Sequence, residues 1–319
     1  SNHSTTMGIV ILHKGKIIFE EYPRMEPYEK PIYWSVTKVF VSTVLAILED
    51  RGFVNVSRPI DYYLPALGKS DYAGVKIRNI LDMASGVDCP DEYEDRDACY
   101  YQFAASIGDA YWDDGSPNNP YTFFANLKTG TAIPQGESFV YSGANTFVIG
   151  WLIEEITGMP FQDVLTKEIW RNIGAEGDAS MLAPRYGVPV TDGGLLARLR
   201  DVARFGLLFT PSYSVVTSRK IISDRHLNLI LEGGNPDLLR NTRYGGWVSN
   251  DIKHNIYQWD SVFQNSDMYK GGWGGQGLLV NPEQDLVTVY TGYFKKDQSE
   301  VRLLGMLRTI LDELYGVAE

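Results

Sequence analysis

A chain of 319 residues is long enough for one large domain or two interleaved ones with an ample core. With 44% hydrophobic and 22% charged residues it has an ordinary globular composition, and no apolar run reaches the ~18 residues of a membrane span. A formal net charge of −11 excludes the basic face that nucleic acid requires and leaves a small molecule as the expected partner.

Residues 8–12 and 17–22 are rich in β-formers, and the joining His13-Lys14-Gly15-Lys16 has the spacing and chemistry of a hairpin turn. In residues 35–52 (SVTKVFVSTVLAILEDRG), Val36, Val39, Phe40, Leu45, Ile47 and Leu48 fall at mixed three- and four-residue steps, which predicts a mostly buried helix. Residues 54–67 carry Pro59 and Pro65 and read as a connector; residues 77–83 read as a short helix ending before Ser85-Gly86. Residues 88–124 are crowded with Tyr, Trp, Asp, Asn and Pro, show little periodicity, and read as a long ordered loop with a functional role. A turn at 136–139 leads into Tyr141-Ser142-Gly143-Ala144-Asn145 and then an apolar helix over 146–157, closed by Gly158. An amphipathic stretch at 195–209 follows Gly193-Gly194. Residues 277–280 and 286–291 form a second hairpin around Asn281-Pro282-Glu283-Gln284. The final helix, 299–315, puts Val301, Leu304, Leu307, Ile310, Leu311 and Leu314 on its apolar stripe. Strands at both ends with helices between predict an α+β fold: one antiparallel sheet built from both termini, flanked by helices, with an inserted mostly helical region. The expected division is 1–67 with 236–319 for the sheet region and 68–235 for the insert, the catalytic cleft lying between them.

Three stations carry chemistry. Ser35 sits in or beside the first turn of the long helix, where free N–H groups and the dipole favour negative charge. Lys38, three residues on, rises on the same face about 5–6 Å away between Cβ atoms, as a nucleophile and its base require. The run Lys270-Gly271-Gly272-Trp273-Gly274-Gly275-Gln276 directly precedes a strand, and its glycines let a substrate lie against backbone N–H groups. No Gly-Lys-Ser/Thr follows it, so it is not a phosphate cradle. The histidines are His3, His13, His226 and His254, and no serine has a Gly-x-Ser-x-Gly context. With no His-Glu-x-x-His and no paired-cysteine spacing, neither a metal nor a cofactor is expected.

Taken together the stretches resemble the serine β-lactamase and penicillin-binding-protein superfamily, most of all its esterase and 6-aminohexanoate-dimer hydrolase branch. The resemblance rests on IYWSVTKVF at 32–40, ILDMASGV at 80–87, GESFVYSGANTFVIGWLIEEITG at 136–158, GGLLARLRDVARFG at 193–206 and KGGWGGQGLLVNPEQDLVTV at 270–289, in the family's order. It implies a β-lactamase-like two-region fold, with Ser35 as the acylated nucleophile, Lys38 one turn on, Tyr141 in the second motif and Lys270 in the third. The oxyanion hole would be the backbone N–H groups of Ser35 and Trp273, and Gly271, Gly272, Asn145 and Trp112 are expected to touch substrate. The family often has Tyr-x-Asn in its second motif, whereas this chain has Gly143 at the third position and Asn145 two residues later. The implied activity is hydrolysis of an ester or amide through an acyl-enzyme, as a carboxylesterase or a 6-aminohexanoate-oligomer amidase. A β-lactamase or D,D-peptidase is the alternative, and a catalytically silent binding domain is the reading from another class. Either Lys38 or Tyr141 is the base; burial and a second cation such as Lys270 favour a lysine that gives up its proton.

Cys89 and Cys99 lie ten apart, either bridged, which points to a periplasmic or secreted setting, or free, which points to the cytoplasm. Between 88 and 114 acidic residues far outnumber the single base, Arg96. They are either a solvated face or a negative rim that draws cationic ligands to the cleft. Nothing in the sequence speaks to oligomeric state.

Overall fold

The computed structural model describes residues 5–131, 133–240, 242, 250–293 and 301–316. Both termini supply the main sheet. From the N-terminal end come β1 (Thr6–His13) and β2 (Lys16–Glu21). A separate two-stranded ladder pairs β3 (Ser180–Met181) with β4 (Leu195–Leu196). The C-terminal part supplies β5 (Ile252–Ile256), β6 (Trp259–Phe263), β7 (Met268–Gly272), β8 (Gln276–Asn281) and β9 (Leu286–Gly292). These strands form a seven-stranded sheet in the order β2-β1-β9-β8-β7-β6-β5, antiparallel at every step. This is the α+β fold that the order of strands and helices predicts.

Period-two alternation decides which helix covers which face. Ile9, Ile11, Leu279, Leu286 and Tyr290 pack with Leu307 and Leu311 of the last helix, Val301–Tyr315. Their neighbours Val10, Leu12, Leu278, Val280, Val287 and Val289 point to the main core. There the helix Leu199–Leu207 lies across β1, β8 and β9. A Cβ on its Gly206 would come within 2.5 Å of Val287, so helix and sheet meet without a side chain between them. By chain position this helix belongs to the predicted insert, 68–235; its packing puts it on the sheet, because its one-sided stripe of Leu199, Val202, Phe205 and Leu207 matches the apolar face.

In chain order the ten helices among the described residues are α1 (Thr37–Asp50), α2 (Ile77–Leu81), α3 (Cys99–Ile107), α4 (Pro120–Ala125), α5 (Gly143–Thr157), α6 (Phe161–Glu168), α7 (Leu199–Leu207), α8 (Asp224–Glu232), α9 (Asp237–Arg240) and α10 (Val301–Tyr315). α1 is buried from Thr37 to Leu48, packed on α5 and α6, and Phe40 stacks on Phe205 of α7 at 3.8 Å. The tip of the β5–β6 hairpin plugs into the helical side. Gln258 donates to the carbonyls of Ile80 and Leu81 and accepts from Thr146, while the Tyr257 N–H donates to Asp82. Tyr257 and Gln258 both hold positive φ (46° and 67°), a strained pair held in place by these buried bonds.

Two expectations change. Residues 88–124 are not one loop. α3 is buried on most of its circumference and so shows no periodic signal, while α4 starts at a capping Asn119 followed by Pro120. On α10, Leu307 and Leu311 are buried, but Ile310 and Leu314 are 47% and 66% exposed, since the stripe is wider than the sheet face beneath it. Residues 299 and 300 of that predicted helix lie outside the described residues. No helix among the described residues is long and apolar enough to cross a membrane.

Cys89 and Cys99 form a disulfide that ties the strand-like segment after Val87 to the first residue of α3. Replacing both by serine should lower unfolding free energy by about 2–3 kcal/mol, from the entropy of the short loop. Urea unfolding of the two proteins measures it, and thiol titration of the denatured, unreduced protein should find no free cysteine.

Candidate active site

Ser35 sits in a 3₁₀ turn, Trp34–Val36, that runs directly into α1. Trp34 has φ +45°, a left-handed conformation costly for a tryptophan, so the chain is bent sharply just before the serine. The bend is held from both sides: Tyr33 is wholly buried with its N–H on the Leu195 carbonyl, and the Val36 N–H returns to Tyr33. One turn on, Lys38 is 1% exposed. Its Nζ lies 3.2 Å from Ser35 Oγ and donates to the Asp192 carbonyl at 2.5 Å.

Tyr141, at the entrance to α5, lies between two lysines. The Nζ atoms of Lys38 and Lys270 are 5.4 and 4.7 Å from its ring centre. Its hydroxyl accepts from Lys270 Nζ at 3.1 Å and is also hydrogen-bonded to Ser35. Lys270, on β7, is fully buried, and Asp260 on β6 accepts from it at 2.5 Å. Burial, helped by Lys38, pulls the Lys270 ammonium down to about 8 even though Asp260 opposes the shift. Burial first, then the carboxylates of Asp260 and Asp91, push the Tyr141 phenol well above its ordinary value. The structure thus brings together Ser35, Lys38, Tyr141 and Lys270.

Ser35 opens onto a cavity of about 870 Å³. Trp34 and Trp273 flank it, meeting edge to face at 5.9 Å. Its lining also holds Tyr93, Tyr100, Asp109 and Asp192, with Glu92, Glu94 and Arg96. Burial and the neighbouring Asp192 raise the Asp109 carboxyl to about 7. Gly271 and Gly272 end β7 directly before Trp273; a Cβ on Gly272 would strike the Tyr33 carbonyl at 2.3 Å, so the strand passes hard against the segment leading to the serine.

Gly271 and Gly272 do not line this cavity, and two other predicted contacts fall elsewhere. Asn145 is 1% exposed, accepting from Tyr72 at 3.0 Å and facing the Met83 sulfur, so α5 carries it into the core. Trp112 does not line the cavity and packs under Arg185 instead; its neighbour Tyr111 is the lining residue. The missing asparagine has a steric cause. Asp91 accepts the Gly143 N–H at 2.5 Å, and a Cβ on Gly143 would lie 2.5 Å from Asp192 Oδ2 and 2.8 Å from Tyr100. Tyr100 donates to that same Oδ2 and Tyr93 to Asp91, so two carboxylates fill the place. Sequence reasoning missed Asp192, flagged only by the Gly193-Gly194 pair after it, and Asp260, which nothing flags.

The sheet, its flanking helices and the serine beside a buried lysine define the class, a β-lactamase-like fold. The chain belongs to the Beta-lactamase family, whose model matches residues 1–311. It is similar to the 6-aminohexanoate-dimer hydrolase of Paenarthrobacter ureafaciens, 26% identical over 287 residues, covering 89% of this chain and 72% of that protein. Among solved structures it matches a Bacillus anthracis protein provisionally named a 6-aminohexanoate-dimer hydrolase, with TM-score 0.79, 20% identity, and 100% and 82% of the two chains covered. It also matches EstCE1, described as a hydrolase with promiscuous acyltransferase activity, with TM-score 0.70, 14% identity, and 91% and 90% covered.

Restoring the family's asparagine should therefore fail. Gly143→Asn is expected to cost about 1–3 kcal/mol through overpacking, and to confer no nitrocefin hydrolysis. Thermal melting and a nitrocefin assay on the purified variant check both halves.

Proposed function

We propose that this chain is a serine hydrolase that cleaves an ester or short amide through an acyl-enzyme on Ser35. The observation that carries the reading is the 3.2 Å approach of Lys38 Nζ to Ser35 Oγ at the edge of a substrate-sized cavity. Ser35 Oγ bonds to the substrate carbonyl carbon and its proton passes to Lys38. Tyr141, kept as a neutral phenol by its surroundings, relays a proton to the leaving oxygen or nitrogen as the scissile bond breaks. Water then attacks the acyl-enzyme, gives its proton back through the same pair, and releases the acid and Ser35. That assignment makes Lys38 the base. The backbone N–H groups of Ser35 and Trp273 form the oxyanion hole, each worth roughly 3–4 kcal/mol by analogy with measured donors.

The wall of Asp109, Asp192, Glu92 and Glu94 favours neutral or cationic tails over carboxylates. That supports an ester or an amine-bearing amide such as an aminohexanoate oligomer over a β-lactam or a peptidoglycan stem. The Cys89–Cys99 bridge supports a periplasmic or secreted setting.

A fluorophosphonate probe should add its mass at Ser35; no labelling would favour a silent binding domain. Ser35→Ala should abolish turnover, and Lys38→Ala and Tyr141→Phe should each slow acylation about a hundredfold or more. Near-normal activity in either removes that residue from its role.

Substrate charge gives a second check. Among matched acyl substrates, kcat/KM should rank cationic above neutral above anionic, with the spread shrinking in high salt. Because the Asp109 carboxyl sits near 7, it is neutral below that pH and charged above, so the cationic advantage should grow as pH rises through 7. An anionic substrate that leads the panel, nitrocefin included, would shift the reading to a β-lactamase or D,D-peptidase.

A further inference from the structure

Asp260 has no place in the reaction just described, yet it is 4% exposed and both its oxygens are committed to the site. Oδ1 accepts the Lys270 ammonium at 2.5 Å and Oδ2 accepts the Gly271 N–H at 2.9 Å. The reason lies in the sheet. β6 and β7 pair Ser261 with Tyr269 and Val262 with Met268. One step further along this register Asp260 faces Lys270, and there a side chain takes over the role of the ladder. On its other edge β7 keeps pairing with β8 as far as Gly272 with Gln276. The glycine strand is thus held on one edge by backbone bonds and on the other by one carboxylate.

We propose that Asp260 is the positioning residue of this site: its carboxylate holds the Lys270 ammonium against Tyr141 and, through the Gly271 N–H, fixes the strand edge that leads to Trp273. Among the described residues, four groups face Lys270: Asp260 from β6, Tyr141 from the entrance to α5, Lys38 from α1, and Asp91 from the segment before α3. Whenever Lys38 is protonated it repels the Lys270 charge, and Asp260 is an anion in direct contact that offsets it. With that anion removed, Lys270 would lose its proton more readily and no longer present a charged donor to Tyr141 in the working pH range. The inference rests on the acyl-enzyme reading for its kinetic arm only.

The test compares wild type, Asp260→Asn, Asp260→Glu, Lys270→Gln and the Asp260→Asn/Lys270→Gln double variant, each first checked for a cooperative melt. In the pH profile of kcat/KM the wild-type alkaline limb should fall near 8, where Lys270 titrates. In Asp260→Asn that limb should move acidward by about one unit or more, with kcat down about tenfold or more and KM little changed. Asp260→Glu, which keeps the charge, should hold the limb near its wild-type position. On the Lys270→Gln background Asp260→Asn should add much less than it does alone, as expected if it acts through Lys270. An unmoved limb in Asp260→Asn, a limb in Asp260→Glu that moves as far as in the asparagine variant, or an undiminished loss on the Lys270→Gln background would each overturn the proposal. Should Asp260→Asn not fold, Asp260→Glu decides by the same limb. If the wild type turns over no substrate, the reaction reading fails, and NMR titration of ¹³C-labelled lysine still tests Asp260. The signal lost in Lys270→Gln should titrate at lower pH in Asp260→Asn, and an unshifted midpoint refutes the role.

Discussion

The site depends on keeping two lysines out of water beside one phenol. Lys38 is 1% exposed and Lys270 is fully buried, and a lysine held there as an ion costs several kcal/mol to desolvate unless partners compensate. Lys38 donates to the Asp192 carbonyl and Lys270 to the Asp260 carboxylate, while Tyr141 stands between them. The partners come from far apart in the chain: α1, the segment before α7, the entrance to α5, and β6 with β7. The site therefore exists only when the sheet and the helical side are docked. The plug of the β5–β6 tip into the carbonyls of Ile80 and Leu81 and the side chain of Asp82 is one of the bonds that docks them.

α1 transmits this constraint to Ser35. Its sides are taken by α5, α6 and α7, so it has little freedom to slide or roll. Its first turn must then start where the packing puts it, and the left-handed Trp34 is the cost of bringing the chain into that start from Tyr33. The same bend places the Trp34 ring against Trp273, closing one side of the cavity over Ser35.

Much of this was legible in the sequence because it depends on local pattern. The two terminal hairpins announce themselves by turn chemistry and alternation, and the buried helix at 35–52 by its apolar steps. Resemblance to the family then put Ser35, Lys38, Tyr141 and Lys270 in one site. What stayed hidden depends on non-local packing. α3 gave no periodic signal because Tyr100, Tyr101, Phe103, Ala104 and Ile107 bury nearly all of its faces. Asn145 looked like a displaced motif residue, yet a helix that begins at Gly143 turns it toward Tyr72. Asp260 carries no local mark, since its meaning comes from the strand beside it.

The glycine at 143 links that packing to specificity. An asparagine there would bring an amide with both donor and acceptor; this chain instead sets Asp91 and Asp192 around the position, the first on the Gly143 N–H and the second on Tyr100. Asp192 Oδ1 is buried without a hydrogen-bond partner among the described residues. A carboxylate offers only acceptors while it is ionised, whereas an amide offers a donor as well. Burial raises both Asp91 and Asp192, so each gains a donor at low pH and becomes acceptor-only as it ionises. The chain thus keeps a serine, two lysines and a tyrosine together while placing carboxylates, acceptor-only when ionised, where the second motif it resembles often has an amide.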